Sequence, residues 1–231
     1  MSKPIISVIT PVFNEEAIIV DATTTNICTL ERHNLHYEII LVNDGSVDRS
    51  AQLINQHFQN TPKIVIHHLD KNIGMGGAVR KGIEVSQGEY IICVPSDSPL
   101  DEETFGRFMK HLDKADILVS YRKERLGYSP RMLINSWVFH KSVSVLFNIN
   151  LKDYNWIHLY HRKIFDAGVV TIESNGLFML AEILIKAKRA GFTFCEFEVN
   201  QKQRLTGIAT ATKLSSLLIT LREMFWLWMK I

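Results

Sequence analysis

Over its first hundred residues the chain alternates short β-branched runs with longer amphipathic segments, and Asn, Asp, Gly or Pro bounds almost every run. Ile5 to Val12, Glu38 to Asn43, Ile64 to Leu69 and Tyr90 to Val94 read as strands. Glu15 to Glu31, Asp48 to Phe58 and Gly76 to Ser86 read as the helices between them. Crossovers of this length return right-handed, so the rhythm predicts an α/β domain with a mostly parallel central sheet and helices on both faces. Ligands of such sheets bind beyond the carboxyl ends of the strands. Attention therefore falls on four polar turns: Pro11-Val12-Phe13-Asn14-Glu15, Asn43-Asp44-Gly45-Ser46, Asp70-Lys71-Asn72-Ile73-Gly74 and Pro95-Ser96-Asp97-Ser98. Beyond them, Asp101 to Leu112 reads as a helix, Ile117 to Tyr121 as a strand, Met132 to Phe147 and Gly176 to Ala190 as helices, and Thr193 to Val199 as a late strand. No repeat or linker divides the chain. The expectation is one domain over residues 1–213 followed by an amphipathic helix over 214–231.

Composition narrows the class of partner. The 231 residues carry 26 Lys plus Arg against 24 Asp plus Glu, a net charge of +2, so bulk charge predicts no nucleic-acid partner. Cys28, Cys93 and Cys195 lie far apart, each in an apolar stretch, which argues against a disulfide framework or a zinc ribbon. They read as reduced core residues of a cytoplasmic protein. The first apolar run meets a Pro-Val-Phe-Asn turn too soon for a signal peptide, and no uninterrupted apolar run of about 18 residues predicts a spanning helix.

Two of the turns carry chemistry when taken together. Asp44 closes a buried strand with a carboxylate, while Asn14 and Glu15 place an amide and a carboxylate at the tip of the first strand, within reach of a base or ribose. Taken singly, Ser46, Asp48, Asn14 and Glu15 are equally good helix caps. Asn72-Ile73-Gly74-Met75-Gly76-Gly77-Ala78 opens a helix with small residues, which lets a phosphate approach backbone N–H groups. No Lys-Ser or Lys-Thr follows at the P-loop spacing, so this is not an ATPase loop.

Together ITPVFNE, EIILVNDGSVDRS, KNIGMGGAVRKGI, GEYIICVPSDSPL, DILVSYR and the later QRLTGIATATK resemble the family 2 glycosyltransferases of the GT-A fold. The resemblance runs from Ile5 to about Lys213 and is strongest to the polyprenyl-phosphate sugar synthases. It implies an inverting transfer of sugar from a nucleotide-diphosphate donor to a lipid phosphate. Pro11, Asn14, Glu15 and Asp44 are thereby assigned to donor binding, with Asn72 and Gly74 shaping the same pocket. The family's Asp-x-Asp, which holds Mg²⁺ or Mn²⁺ against the diphosphate, is reduced here to Pro95-Ser96-Asp97, so Asp97 alone is the candidate metal ligand. Asp101 or Glu102 offers compensation, against their ordinary role as first-turn acids of the next helix.

The resemblance also places Asp153, Arg162 and Glu182 on the acceptor side, gives Arg122 and Arg162 binding roles, and makes Asp153, Glu182 and Arg204 catalytic candidates beside Asp97. On the residues alone, Asp153 caps a turn, Arg162 lies in solvent and Glu182 pairs with Lys186 four residues on. Arg204 and Lys213 bracket LTGIATAT, similar to the family's Arg-x-x-Gly-x-Ser-Lys loop but three residues longer, and are implied to shield the leaving diphosphate. The last segment, LSSLLITLREMFWLWMKI, presents an apolar face with two Trp near Lys230 and suits a helix lying on the cytoplasmic membrane face; packing on its own domain or on a partner subunit competes. A soluble or cell-surface saccharide as acceptor, or a non-catalytic sugar-nucleotide-binding subunit, are the alternative functions.

Overall fold

A computed structural model describes residues 5–166, 168–200 and 214–231, the side chains of 214–216 excepted. Seven strands form one sheet in the order β3-β2-β1-β4-β6-β5-β7. They are β1 (Ile6–Val12), β2 (Tyr37–Asn43), β3 (Ile64–His68), β4 (Tyr90–Cys93), β5 (Ile117–Arg122), β6 (His158–His161) and β7 (Phe194–Val199). The helices are α1 (Ile19–Arg32), α2 (Ser50–Phe58), α3 (Met75–Val85), α4 (Glu102–His111), α5 (Pro130–Phe147), α6 (Lys163–Asp166), α7 (Met179–Arg189) and α8 (Leu214–Lys230). The period-two pattern of the strands sorts their side chains between two cores. Ile9, Ile40, Val42, Ile91, Cys93 and Val119 face α3, α5, α7 and α8. Val8, Ile39, Leu41, Ile92, Val94 and Leu118 face α1, α2 and α4. With both faces covered, the central strands have no polar side to show, which is why they read as continuous apolar runs.

Strands β1 to β4 pair in parallel, as the sequence rhythm predicts. The sequence reading contains no counterpart of β6, which runs antiparallel to both β4 and β5. Its four residues, His-Leu-Tyr-His, are too few and too polar to announce a strand; pairing on both sides makes it one. Being antiparallel, β6 begins on the rim where β4 and β5 end and finishes on the opposite rim. α1 starts at Ile19, not at Glu15, because Glu15 is held in a preceding turn. Cys28 requires a further correction: the buried stripe of α1 runs through Ile19, Ala22, Thr23, Asn26, Thr29 and Leu30, and Cys28 falls outside it, exposed. Cys93 is buried, and its burial pushes the thiol up to about 12. α8 docks through Met224 and Leu227, which are buried in the core with α5 and α7. Among the described residues no helix is long and apolar enough to cross a membrane.

Candidate functional site

The carboxyl ends of β1, β2, β3 and β4 share one rim, and β1 is where the connections change direction, with β2 on one side and β4 on the other. The two strands part there, since β4 pairs with β1 only as far as Ile9 whereas β1 continues to Val12, and at such a change of direction an open α/β sheet has its ligand crevice. Pro11 lies in this unpaired stretch, where the ladder to β4 has ended and its missing N–H costs nothing on that side.

The β1 and β2 tips are clasped by side chains. Asn14, at φ 56, donates its N–H to Ser46 Oγ at 3.0 Å and accepts from Val47 N through Oδ1 at 2.9 Å. Glu15 N donates to Ser50 Oγ at 2.8 Å and Glu16 N to Asp48 Oδ2 at 3.1 Å. Ser46 and Asp48 thus act across the rim to β1; only Asp48, accepting from Ser50 N at 2.9 Å, also bonds the start of α2. Asp44 is buried and accepts from Ile73 N at 2.7 Å and Gly74 N at 2.9 Å, while Asn72 Oδ1 accepts from Gly74 N at 3.2 Å. Burial raises the Asp44 carboxyl against the lowering effect of those two amides. Gly74 sits at φ 84, and a β-carbon there would lie 2.4 Å from the Asn175 carbonyl oxygen, so both the turn and the neighbour demand glycine.

Across the crevice from β1 lie Ser96 and Asp97. Burial raises the Glu15 carboxyl, the negative charges of Asp97 and Asp48 raise it further, and a hydrogen bond with Ser96 opposes them. Glu15 and Asp97 therefore share one electrostatic environment, and Asp44 is tied to the same rim. Asp101 is spent as the N-cap of α4, accepting from Glu103 N and Thr104 N at 3.1 Å, and Glu102 pairs with His33 at 2.7 Å. Neither supplements Asp97. Among the described residues no group of three or more His, Cys, Asp or Glu is arranged to hold a metal ion.

Further along the rim, Arg122 ends β5 and Asp153 precedes β6. Arg122 Nε and one terminal nitrogen donate to the two oxygens of Asp153 at 2.8 and 3.2 Å, with side-chain exposures of 3% and 1%. Burial would raise the Asp153 carboxyl, but hydrogen bonding from His140 and the charges of Arg122 and Arg125 outweigh it and hold it well below the usual range. Arg122 also donates to Tyr128 Oη at 2.8 Å and lies over the Trp156 ring at 4.6 Å. Arg125, Tyr128, His140 and Trp156 were not individually legible: they lie in an Arg- and Lys-rich loop, on a helix, and in a stretch with no motif of its own. His158 is fully enclosed nearby and held neutral by burial, its value lowered to about 4.

Two other candidates occupy different ground. Glu182 is fully buried on α7; its carboxylate accepts from Glu173 N at 3.0 Å and Ser174 N at 2.8 Å and pairs with Lys186 at 2.6 Å. The i+4 pair expected from spacing is present, and the carboxylate anchors the loop before α7. Arg162 is corrected: antiparallel β6 carries it to the far rim, where its N–H donates to Glu89 O at 2.8 Å and its guanidinium to Gly88 O and Ser86 Oγ. It does not line the crevice. Arg204 and Lys213 lie outside the described residues.

Comparison with known proteins matches residues 7–167 to the family model for glycosyl transferase family 2. The chain is similar to glycosyltransferase AglD of Haloferax volcanii, 26% identical over 203 residues that cover 84% of this chain and 32% of that protein. It is also similar to the undecaprenyl-phosphate 4-deoxy-4-formamido-L-arabinose transferase of Aeromonas hydrophila, 28% identical over 206 residues, 88% of this chain and 61% of the relative. The chain thus spans between about a third and three fifths of these relatives' lengths. In structure it resembles the glucosyl-3-phosphoglycerate synthase of Mycobacterium tuberculosis, solved with Mn²⁺, UDP-glucose and phosphoglyceric acid, with TM-score 0.71 and 14% identity over 99% of this chain and 80% of that one. With the family model matched over more than two thirds of its residues, a GT-A sheet and a crevice at the change of strand direction, the chain belongs to glycosyl transferase family 2.

Proposed function

We propose that the chain transfers a sugar from a nucleotide-diphosphate donor to a polyprenyl-phosphate-class acceptor at a cytoplasmic membrane surface, with inversion at the anomeric carbon. One observation carries the reading: Glu15, Asp44 and Asp97 around the β1–β4 crevice share a rim with the Arg122–Asp153 pair. The base and ribose of the donor are held by Glu15 and Asp44 with Pro11 and Asn14, and the Asn72–Gly74 turn forms the wall. The anomeric carbon–diphosphate oxygen bond breaks as an acceptor phosphate oxygen attacks. That oxygen is already ionised at neutral pH, so the acceptor side needs positioning and charge more than a strong base. Arg122, Arg125 and Asp153 supply an ordered basic environment, and Arg204 with Lys213 is assigned to the leaving nucleoside diphosphate.

A divalent ion held here would have a single protein carboxylate and the donor diphosphate as its ligands. Glu15 is raised in part by the negative charge of Asp97 and Asp48, and a cation in the crevice would relieve that repulsion. Asp97 would be its protein ligand, and bound Mg²⁺ or Mn²⁺ would neutralise donor diphosphate charge. Membrane contact is supported by two adjacent helices. α5 exposes Leu133, Ile134, Trp137, Val138 and Val145, and α8 exposes Leu218, Phe225, Trp226, Trp228 and Met229. Such a surface, with no acidic residue on α5, suits a helix pair lying among lipid headgroups.

The test is a thermal-shift panel of UDP-, GDP- and dTDP-sugars with and without Mn²⁺, followed by transfer of labelled sugar to undecaprenyl phosphate. Stabilisation by one nucleotide class and label in the lipid phase are expected. Label on a soluble saccharide alone would replace the acceptor. Pro95, where a metal-binding Asp is usual, favours a second reading as a binding subunit, marked by stabilisation without turnover.

A further inference from the structure

The donor crevice is braced from a distance by α8. The Asn72–Gly74 wall is pinned on one side by Asp44, as described, and on the other it rests on the loop before α7. Gly76 N donates to Asn175 O at 2.9 Å, and a β-carbon on Gly76 would fall 1.9 Å from Ser174 O. At that approach the two backbones move together or not at all.

The loop in turn has two anchors. Glu182 of α7 holds its first half through Glu173 N and Ser174 N. Its second half is held from α8, where Glu223 Oε1 accepts from both Asn175 N at 2.8 Å and Gly176 N at 2.9 Å. Glu223 Oε2 is buried and has no hydrogen-bond partner among the described residues. A carboxylate placed to satisfy two adjacent loop amides, with its other oxygen shut away from water, is an expensive arrangement for a surface helix. A last-turn contact repeats the link, with Lys230 Nζ 2.7 Å from Glu173.

We propose that Glu223 is a positioning residue for donor binding: through Asn175 and Gly176 it fixes the support on which the Gly74–Gly76 wall of the nucleotide crevice rests. It touches no substrate. This deepens the donor reading above and rests on it, so the experiment separates the two. Hydrogen exchange and UDP affinity with Mn²⁺ are measured on the full chain and on its Glu223→Ala and Glu223→Gln variants. Glu223→Ala should speed exchange at residues 173–177 and also at 72–77, while leaving β1 and β2 unchanged, and should weaken UDP binding by about fivefold or more. Glu223→Gln keeps an acceptor oxygen for the two amides and should restore most of both. Faster exchange confined to 173–177 with UDP affinity unchanged would overturn the proposal, as would a uniform rise across the sheet, which marks simple destabilisation. If the unaltered chain does not bind UDP, uridine is ruled out as the donor base without touching the proposal, and the spread of exchange into 72–77 still decides the role of Glu223.

Discussion

Burying Asp153 takes a carboxylate out of water, and only the bidentate Arg122 contact, with Arg125 and His140 beyond it, makes the burial tolerable. Removing one partner of such a pair strands the other charge. Asp153→Ala should therefore lower unfolding stability by roughly 3–5 kcal/mol in urea melts near neutral pH. The pH dependence follows from the direction of the shift. An acid held below its ordinary value of 3.8 stabilises the fold above that value and loses the contribution as pH falls through its depressed one. The gap between the unaltered chain and Asp153→Ala should be flat at neutral pH and narrow only in strong acid; a gap that widens on acidification would contradict the ion pair. The family resemblance marked Asp153 and Arg122 as candidates, but their mutual contact is a product of β5 and β6 lying side by side. Arg162 shows the opposite outcome: the same reading placed it with them, and the direction of β6 put it on the other rim.

At the scale of elements, the glycines that open α3 are a packing requirement as much as a ligand signal. Gly76→Ala should drive its methyl into the Ser174 carbonyl, and because backbone faces backbone neither can rotate away. A loss of about 1–3 kcal/mol is expected, read by chemical denaturation, together with weaker nucleotide binding. An unchanged midpoint would mean that the loop before α7 is not seated where described. The Gly-rich signal was visible in sequence as a helix start open to a phosphate. Its second meaning, a close approach to a segment about a hundred residues later, was not, because nothing local in Ser174-Asn175 announces what lies against it. β6 was hidden for a related reason: a four-residue strand acquires its identity from two neighbours.

For the whole molecule, α5 and α8 give one side of the domain an apolar exterior. Flotation with vesicles containing anionic lipid should carry the full chain to the lipid fraction, and charge substitutions at Trp137 and Phe225, both exposed, should leave the variant in the soluble fraction with its melting temperature little changed. A chain that stays soluble throughout would remove the membrane part of the proposal. Sequence alone determined the alternation of strand and helix, the four polar turns and the family resemblance, because period, turn chemistry and motif spacing are local properties written in consecutive residues. Tertiary structure alone decided the antiparallel insertion of β6, the exile of Arg162, the burial of the Arg122–Asp153 pair and the brace from Glu223 to the crevice wall. Each of these joins residues far apart in the chain, and such contacts are chosen by which surfaces the completed sheet brings together.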